Sequence, residues 1–253
     1  AWAAATRVQI GYWRNTQTLF EHALAVTRDN HVVHANLGAE LARLGRTDEA
    51  RGHYAEALRI KSTFPKAHLS LGALLAGEGR WEEAMAHYEY ALAHRPDSAT
   101  AHLNYGLALV AVGRGGEALP HYEEALRLDP RYAKAHVALA GLLDDLGRGQ
   151  EALAHLREAV EARPDLAEAH GNLAIALENA GLGDEALTHY RETARLLPED
   201  PRAQYNLAAA LEERGADGEA MRHNQAALRS SPESDEIRAA VARLIARGGG
   251  GDG

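Results

Sequence analysis

A glycine returns at a fixed interval of 34 residues, as Gly45, Gly79, Gly113, Gly147, Gly181 and Gly215. A period of that length holds one supersecondary unit, too small to bury its own apolar side, so successive copies must stack on one another. An irregular bundle of helices has no reason to keep one residue in register six times. The reading divides the chain into six gapless units, 31–64, 65–98, 99–132, 133–166, 167–200 and 201–234.

Other columns fall into the same register. The seventh place is Leu37, Leu71, Tyr105, Leu139, Leu173 and Leu207, and the eleventh is leucine in every unit. These two places lie one helical turn apart on a single face. The eighth place is Gly38, Gly72, Gly106, Ala140, Ala174 and Ala208, small enough for a second helix to come close. Glycine at the fifteenth place can adopt positive φ and end the first helix. Alanine at the twentieth place, tyrosine or leucine at most twenty-fourth places, and alanine at most twenty-seventh places form the stripe of a second helix. Proline at the thirty-second place (Pro96, Pro130, Pro164, Pro198, Pro232) cannot continue that helix. Each unit therefore reads helix, turn, helix.

Composition supports helix over sheet. Apolar residues make up 46% of the chain but aromatics only 6%, so Ala and Leu, the best helix formers, fill the quota. The net charge of −9 disfavours nucleic acid, whose phosphates call for a Lys/Arg surface. There are no cysteines, which removes disulfides, thiolate metal sites and cysteine nucleophiles and leaves cytoplasm and periplasm equally open. No stretch approaches the ~20 apolar residues of a membrane span.

The columns resemble the tetratricopeptide-repeat pattern from about Gly11 to Arg247. That resemblance implies an all-α fold, a right-handed superhelical solenoid of antiparallel helix pairs whose first helices line a concave groove. It also implies a binding scaffold for a protein or peptide rather than an enzyme, and no cofactor. The groove would be lined by the second, fifth, sixth, ninth, twelfth and thirteenth places. Near the start these are mild (Val32, Asn36, Ala39, Arg43, Ser70), and in the middle apolar (Leu69, Leu103, Leu107, Val110, Val137). Towards the end they are acidic (Asp144, Asp145, Glu168, Glu178, Glu212, Glu213), interrupted across the groove by Lys66, Lys134 and Arg202. An apolar centre with an acidic arm suits an extended peptide carrying apolar and basic residues; an equally plain reading is a solvated acidic surface. Asn36, Asn104, Asn172 and Asn206 share the sixth place, which resembles the asparagine ladder of the O-GlcNAc transferase repeat domain. An amide both donates and accepts, so such a ladder can hold a main chain without reading its sequence.

Fourteen histidines draw attention to metal binding. Five occupy the fourth place (His34, His68, His102, His136, His170) and six the twenty-third (His53, His87, His121, His155, His189, His223). Equivalent residues of successive units are too far apart to share one ion, since packed helices lie ~8–10 Å apart and zinc needs nitrogens at ~2.0–2.1 Å. The two columns also lie on different helices, so the expectation is packing or surface histidines and no metal. Catalytic motifs are missing: the run Gly113-Arg114-Gly115-Gly116 is the inter-helix turn of one unit, and the Lys/Asn/Arg set of a carboxylate clamp is not assembled. Pro120 is expected near the first turn of its helix, where a lost N–H costs little.

The ends extend the register. Trp13, Phe20 and Ala23 place the second helix of a further unit at about 16–26, within an N-terminal segment 1–30 in which residues 3–12 are expected as a helical lead-in. A capping helix is expected at 235–247, with Ile237, Val241, Leu244 and Ile245 as its apolar face, followed by a disordered tail, 248–253. The opening Tyr12-Trp13-Arg14-Asn15 with Thr18–Leu24 is similar to the junction preceding repeats in bacterial mannosyltransferase-like membrane proteins. That implies a domain presenting acceptors to a glycosyltransferase, attached to the membrane through a segment upstream. Self-association through an exposed edge helix is a further expectation.

Overall fold

In the computed structural model, residues 16–27 and 29–248 are described. Every element among them is an α-helix joined by a short turn. The chain divides into two units, Ala1–Pro130 and Arg131–Gly253. The first holds α1 (Thr16–Val26), α2 (His31–Arg43), α3 (Thr47–Ile60), α4 (Pro65–Gly77), α5 (Trp81–His94), α6 (Ala99–Ala111) and α7 (Gly115–Leu128). The second holds α8 (Ala133–Asp145), α9 (Gly149–Ala162), α10 (Ala167–Asn179), α11 (Gly183–Leu196), α12 (Pro201–Glu212), α13 (Asp217–Ser230) and α14 (Asp235–Gly248). Within each, helices pack as consecutive pairs, α2 on α3, α4 on α5 and α6 on α7, then α8 on α9, α10 on α11 and α12 on α13. The fold is an all-α helix-pair solenoid.

The turn inside each pair is built six times with the same bonds. Gly45, Gly79, Gly113, Gly147, Gly181 and Gly215 have φ between 70° and 78°. That conformation strains any residue with a Cβ. The glycine N–H reaches back into the last turn, and the next residue closes a longer ring, as in Arg114 N–H to Leu109 O at 2.8 Å and Gly113 N–H to Val110 O at 3.0 Å. This is the Schellman arrangement, which satisfies carbonyls that the helix end would leave orphaned. The starts are fixed by different means. Asn30, Ser98 and Asp200 accept from backbone N–H groups of α2, α6 and α12, and Pro65 and Pro201 occupy the first helical position of α4 and α12.

The core follows the columns. Leu41, Leu75, Leu109, Leu143, Leu177 and Leu211 are buried, as is every alanine of the twentieth place. Tyr54, Tyr88 and Tyr122 pack against the small eighth residue of their own pair. A Cβ added at Gly38, Gly72 or Gly106 would sit 2.8, 2.6 or 2.5 Å from the ring of Tyr54, Tyr88 or Tyr122 respectively. The glycine thus sets how closely the two helices approach.

Two expectations change. Pro120, expected near the first turn where a lost N–H costs little, is the sixth residue of α7, so the Gly116 carbonyl loses the N–H that would have met it one turn on. In the capping helix, Ile237, Ala240 and Leu244 are buried, whereas Ile245 is 62% exposed and turns away from the core. Arg247 and Arg243 of α14 reach Glu212 of α12, at 3.1 and 3.6 Å. The lead-in, Trp13 and the tail beyond residue 248 lie outside the described residues.

Candidate functional site

Within the first unit, Asn36 stands on α2, Leu69 on α4, and Leu103, Asn104 and Leu107 on α6. Leu107 is 43% exposed and its neighbour one turn on, Val110, is also exposed. Leu103 is only 3% exposed and belongs to the core, so it offers no surface to a ligand. A first helix packs on its partner and on its neighbours, and the fifth place is drawn into that packing while the ninth and twelfth stay outside. Lys66 donates to the side-chain oxygen of Asn36 at 2.8 Å, which ties successive inner helices together. A hollow of about 450 Å³ opens between α2, α3 and α4, lined among others by Ala42, Tyr54, Ser70 and Ala73.

Within the second unit, Val137, Asp144 and Asp145 stand on α8, Asn172 and Glu178 on α10, and Asn206 and Glu212 on α12. Val137 is 6% exposed and, like Leu103, is a core residue. Asp144 and Asp145 are exposed, and Asp144 borders a hollow of about 340 Å³ shared with Ala176 and Asn179. The acidic column is not uniformly free. Glu178 accepts from the Tyr190 hydroxyl at 2.7 Å, and Glu212 is held by the two arginines of α14. Burial first, then Glu178, pushes the Tyr190 hydroxyl well above its ordinary range. Among the described residues, the side chains of Asn104, Asn172 and Asn206 have no hydrogen-bond partner.

The histidine columns are where sequence reasoning missed the arrangement. The fourth and twenty-third places do lie on different helices, but those helices are the two of one pair, and the rings meet. Nδ1 faces Nδ1 at 3.0 Å in His34–His53, His102–His121, His136–His155 and His170–His189, and at 2.8 Å in His68–His87. The constant separation of 19 residues was the available signal. The sixth pair replaces the first ring with an amide, and His223 Nδ1 lies 2.8 Å from Gln204 Oε1. Among the described residues no cluster of three or more His, Cys, Asp or Glu is arranged to hold a metal ion. No helix among them is long and apolar enough to cross a membrane.

Stacked helix pairs with a repeated Schellman turn define a helical-repeat protein. A tetratricopeptide-repeat family model matches residues 103–233, and a second matches 35–99 and 69–133. The chain belongs to the tetratricopeptide-repeat family. Among solved structures it is similar to the anaphase-promoting-complex hetero-tetramer Cut9–Hcn1, at a TM-score of 0.80 and 17% identity over 89% of this chain. The chain spans about 45% of the length of that protein. It is also similar to a thermophilic repeat protein of Thermus thermophilus, at 0.61 and 27% identity over 72% of this chain and 99% of that one. A third likeness is YrrB, a repeat protein with an unusual peptide-binding site, at 0.55 and 21% identity over 73% of this chain and 95% of that one. No curated protein matches the sequence. None of these findings supports the resemblance of the opening segment to a mannosyltransferase-like protein, and residues 12–15 lie outside the described residues.

Proposed function

We propose that the chain is a non-enzymatic scaffold that holds an extended peptide segment of a partner protein against its inner helices. Proteins of this family generally bind protein partners, and its scaffolds are generally not enzymes. The observation that carries the finer reading is the set of amides on Asn104, Asn172 and Asn206, which have no partner among the described residues. Within the second unit Asn172 and Asn206 hold that place on the successive first helices α10 and α12, and a free amide there can donate to a peptide carbonyl and accept from a peptide N–H. In the first unit, exposed Leu107 and Val110 lie beside Asn104 on α6 and supply an apolar anchor point. In the second, Asp144 and Asp145 supply charge for a basic side chain, tuning selectivity and on-rate more than affinity. Leu103 and Val137 drop out of the site because they are buried, and Glu212 contributes least because α14 occupies it. YrrB shares the fold at low identity and gives a precedent only for the architecture.

The test uses purified full chain and a library of dodecapeptides in which apolar and Lys/Arg residues are varied, read by fluorescence anisotropy. Binders should lose at least ~10-fold in affinity on Asn104→Ala or Leu107→Asp, the scale of about 1.4 kcal/mol. Helix content should not move, because Leu107 is exposed and the Asn104 side chain makes no hydrogen bond among the described residues. Peptides that bind the two variants as tightly as the parent place the site elsewhere, and so would affinities insensitive to every Asn of the sixth place.

A further inference from the structure

The five histidine pairs have a geometry that assigns their protons. Ring centroids lie 5.2 Å apart in His34–His53, 5.0 Å in His68–His87, 5.3 Å in His102–His121, and 5.2 Å in the other two pairs. Each separation is close to the N···N distance plus both ring radii, so the two nitrogens aim at each other head-on. Two lone pairs converging on a metal would draw the rings into a V instead. Head-on nitrogens are the arrangement of an N–H···N hydrogen bond.

Which ring donates follows from the other nitrogen. Nε2 of His68, His102 and His170 lies 3.0, 3.0 and 3.1 Å from the carbonyl oxygens of Ser62, Pro96 and Pro164. A carbonyl only accepts, so those rings carry hydrogen on Nε2 and present a bare Nδ1 when neutral. The partner ring then donates from its own Nδ1. The sixth repeat makes the same assignment with different chemistry. Gln204 donates from Nε2 to the Pro198 oxygen at 3.1 Å and offers Oε1, which can only accept, to His223 Nδ1. The fourth place is therefore an acceptor towards the second helix, whether imidazole or amide supplies it.

The geometry points to each histidine pair being a binding site for one proton and no more, a latch that joins the two helices of a repeat and opens on the second proton. The first proton goes to Nε2 of the twenty-third-place ring, which carries no hydrogen in the neutral pair, and the Nδ1–H···Nδ1 bond survives as a charge-assisted one. A second proton can go only to the bare Nδ1 of the fourth-place ring. It removes the acceptor and leaves two cations about 3 Å apart.

The surroundings grade the latches. Glu49 and Glu56 face the first pair, Glu117 and Glu124 the third, and Glu185, Glu192 and Arg157 the fifth. The fourth has Glu151, Glu158 and Arg148, while His223 of the sixth repeat faces Glu219, Arg222 and Arg191. The second repeat carries Tyr90 in place of the glutamate, stacked on His68 at 4.0 Å, with Glu83 and His94 also near. It has the least compensating negative charge, so it should part first.

Burial, followed by the charge of the partner ring, holds His87, His121, His155 and His189 below the usual histidine value, and because the two rings titrate together this depression belongs to the second proton of the pair. A histidine depressed in the folded chain takes up fewer protons there than when unfolded. Its stabilisation is complete above about pH 6.5 and is lost as pH falls through that value towards the folded one. The first-turn carboxylates beside four of the pairs do not blur this window. Hydrogen bonds from Arg46, Arg80, Arg114 and Arg148 keep Glu49, Glu83, Glu117 and Glu151 below their ordinary range, so they stay charged at pH 5.

Two measurements on the full chain test the latch. Long-range proton–nitrogen spectra at about pH 7.5 should show hydrogen on Nδ1 in His53, His87, His121, His155 and His189, and on Nε2 in His34, His68, His102, His136 and His170. Hydrogen on Nε2 in all ten rings would overturn the assignment. In urea unfolding at about pH 7.5 and 5.0, the parent should lose midpoint on acidification. A variant with His34, His68, His102, His136 and His170 all changed to Gln, the residue of the sixth repeat, should lose half as much or less. An equal loss in both proteins would sink the latch. If the fivefold variant does not fold, His102→Gln is read by hydrogen exchange in α6 and α7, where acid opening should be suppressed locally and is not if the idea is wrong.

Discussion

Replacing Pro120 with alanine stabilises the chain by about 2 kcal/mol. A proline inside a helix removes one hydrogen bond and crowds the carbonyl one turn back, a cost of roughly 3 kcal/mol. Pro120 stands at the sixth residue of α7, where its N–H would have met the Gly116 carbonyl. Both Gly116 and Pro120 are exposed, so water serves that carbonyl and α7 runs on to Leu128. Proline also restricts the unfolded chain, and losing that restriction returns about 0.4–1 kcal/mol to the unfolded side. The equivalent residues Gly52, Ala86, Ala154, Thr188 and Arg222 show that the place does not require proline. The check is the urea midpoint at constant slope; an unchanged or lower midpoint would mean that a proline-induced bend in α7 contributes packing elsewhere.

The opposite effect is expected at Gly106. An alanine Cβ there would lie 2.5 Å from Cε1 of Tyr122 and 3.1 Å from its Cζ, and that ring is among the most deeply buried in the chain. Overpacking a filled core costs ~1–3 kcal/mol, against a gain of up to ~1 kcal/mol from helix propensity. Gly106→Ala should therefore destabilise by about 1–2 kcal/mol. Adding Tyr122→Leu should recover most of the loss, because the fourth repeat pairs Ala140 with Leu156 in the same two places. The coupling is read from a double-mutant cycle. The fifth repeat combines Ala174 with Tyr190, whose hydroxyl is anchored on Glu178. If Gly106→Ala proves neutral and the cycle shows no coupling, the third repeat can adopt that solution too, and the glycine does not set the helix approach.

The glycine, leucine and alanine columns were legible because each reports a local demand that recurs: a positive φ, a turn-spaced apolar pair, a close approach. Which side of a helix faces which neighbour is not local. Leu103 and Leu107 are one turn apart on α6 and equally apolar, yet only the second is open to a ligand. Nothing in their immediate sequence separates them, since the difference arises from the neighbouring helices against the fifth place. The same holds for Glu178 and Glu212, whose charges are engaged by Tyr190 and by α14. The histidines went unread for a related reason. Spacing along the array ruled out sharing between repeats, while the constant separation of 19 residues within each repeat carried the pairing, which took its meaning once α2 lay on α3.

The turn built around Gly45 and its five equivalents has a consequence for inheritance. Each joint uses the same backbone bonds and asks nothing of the side chains beyond a missing Cβ, so duplication or loss of a whole block of coding sequence leaves every remaining joint intact. Length becomes a variable that selection can adjust in discrete steps without redesigning the fold.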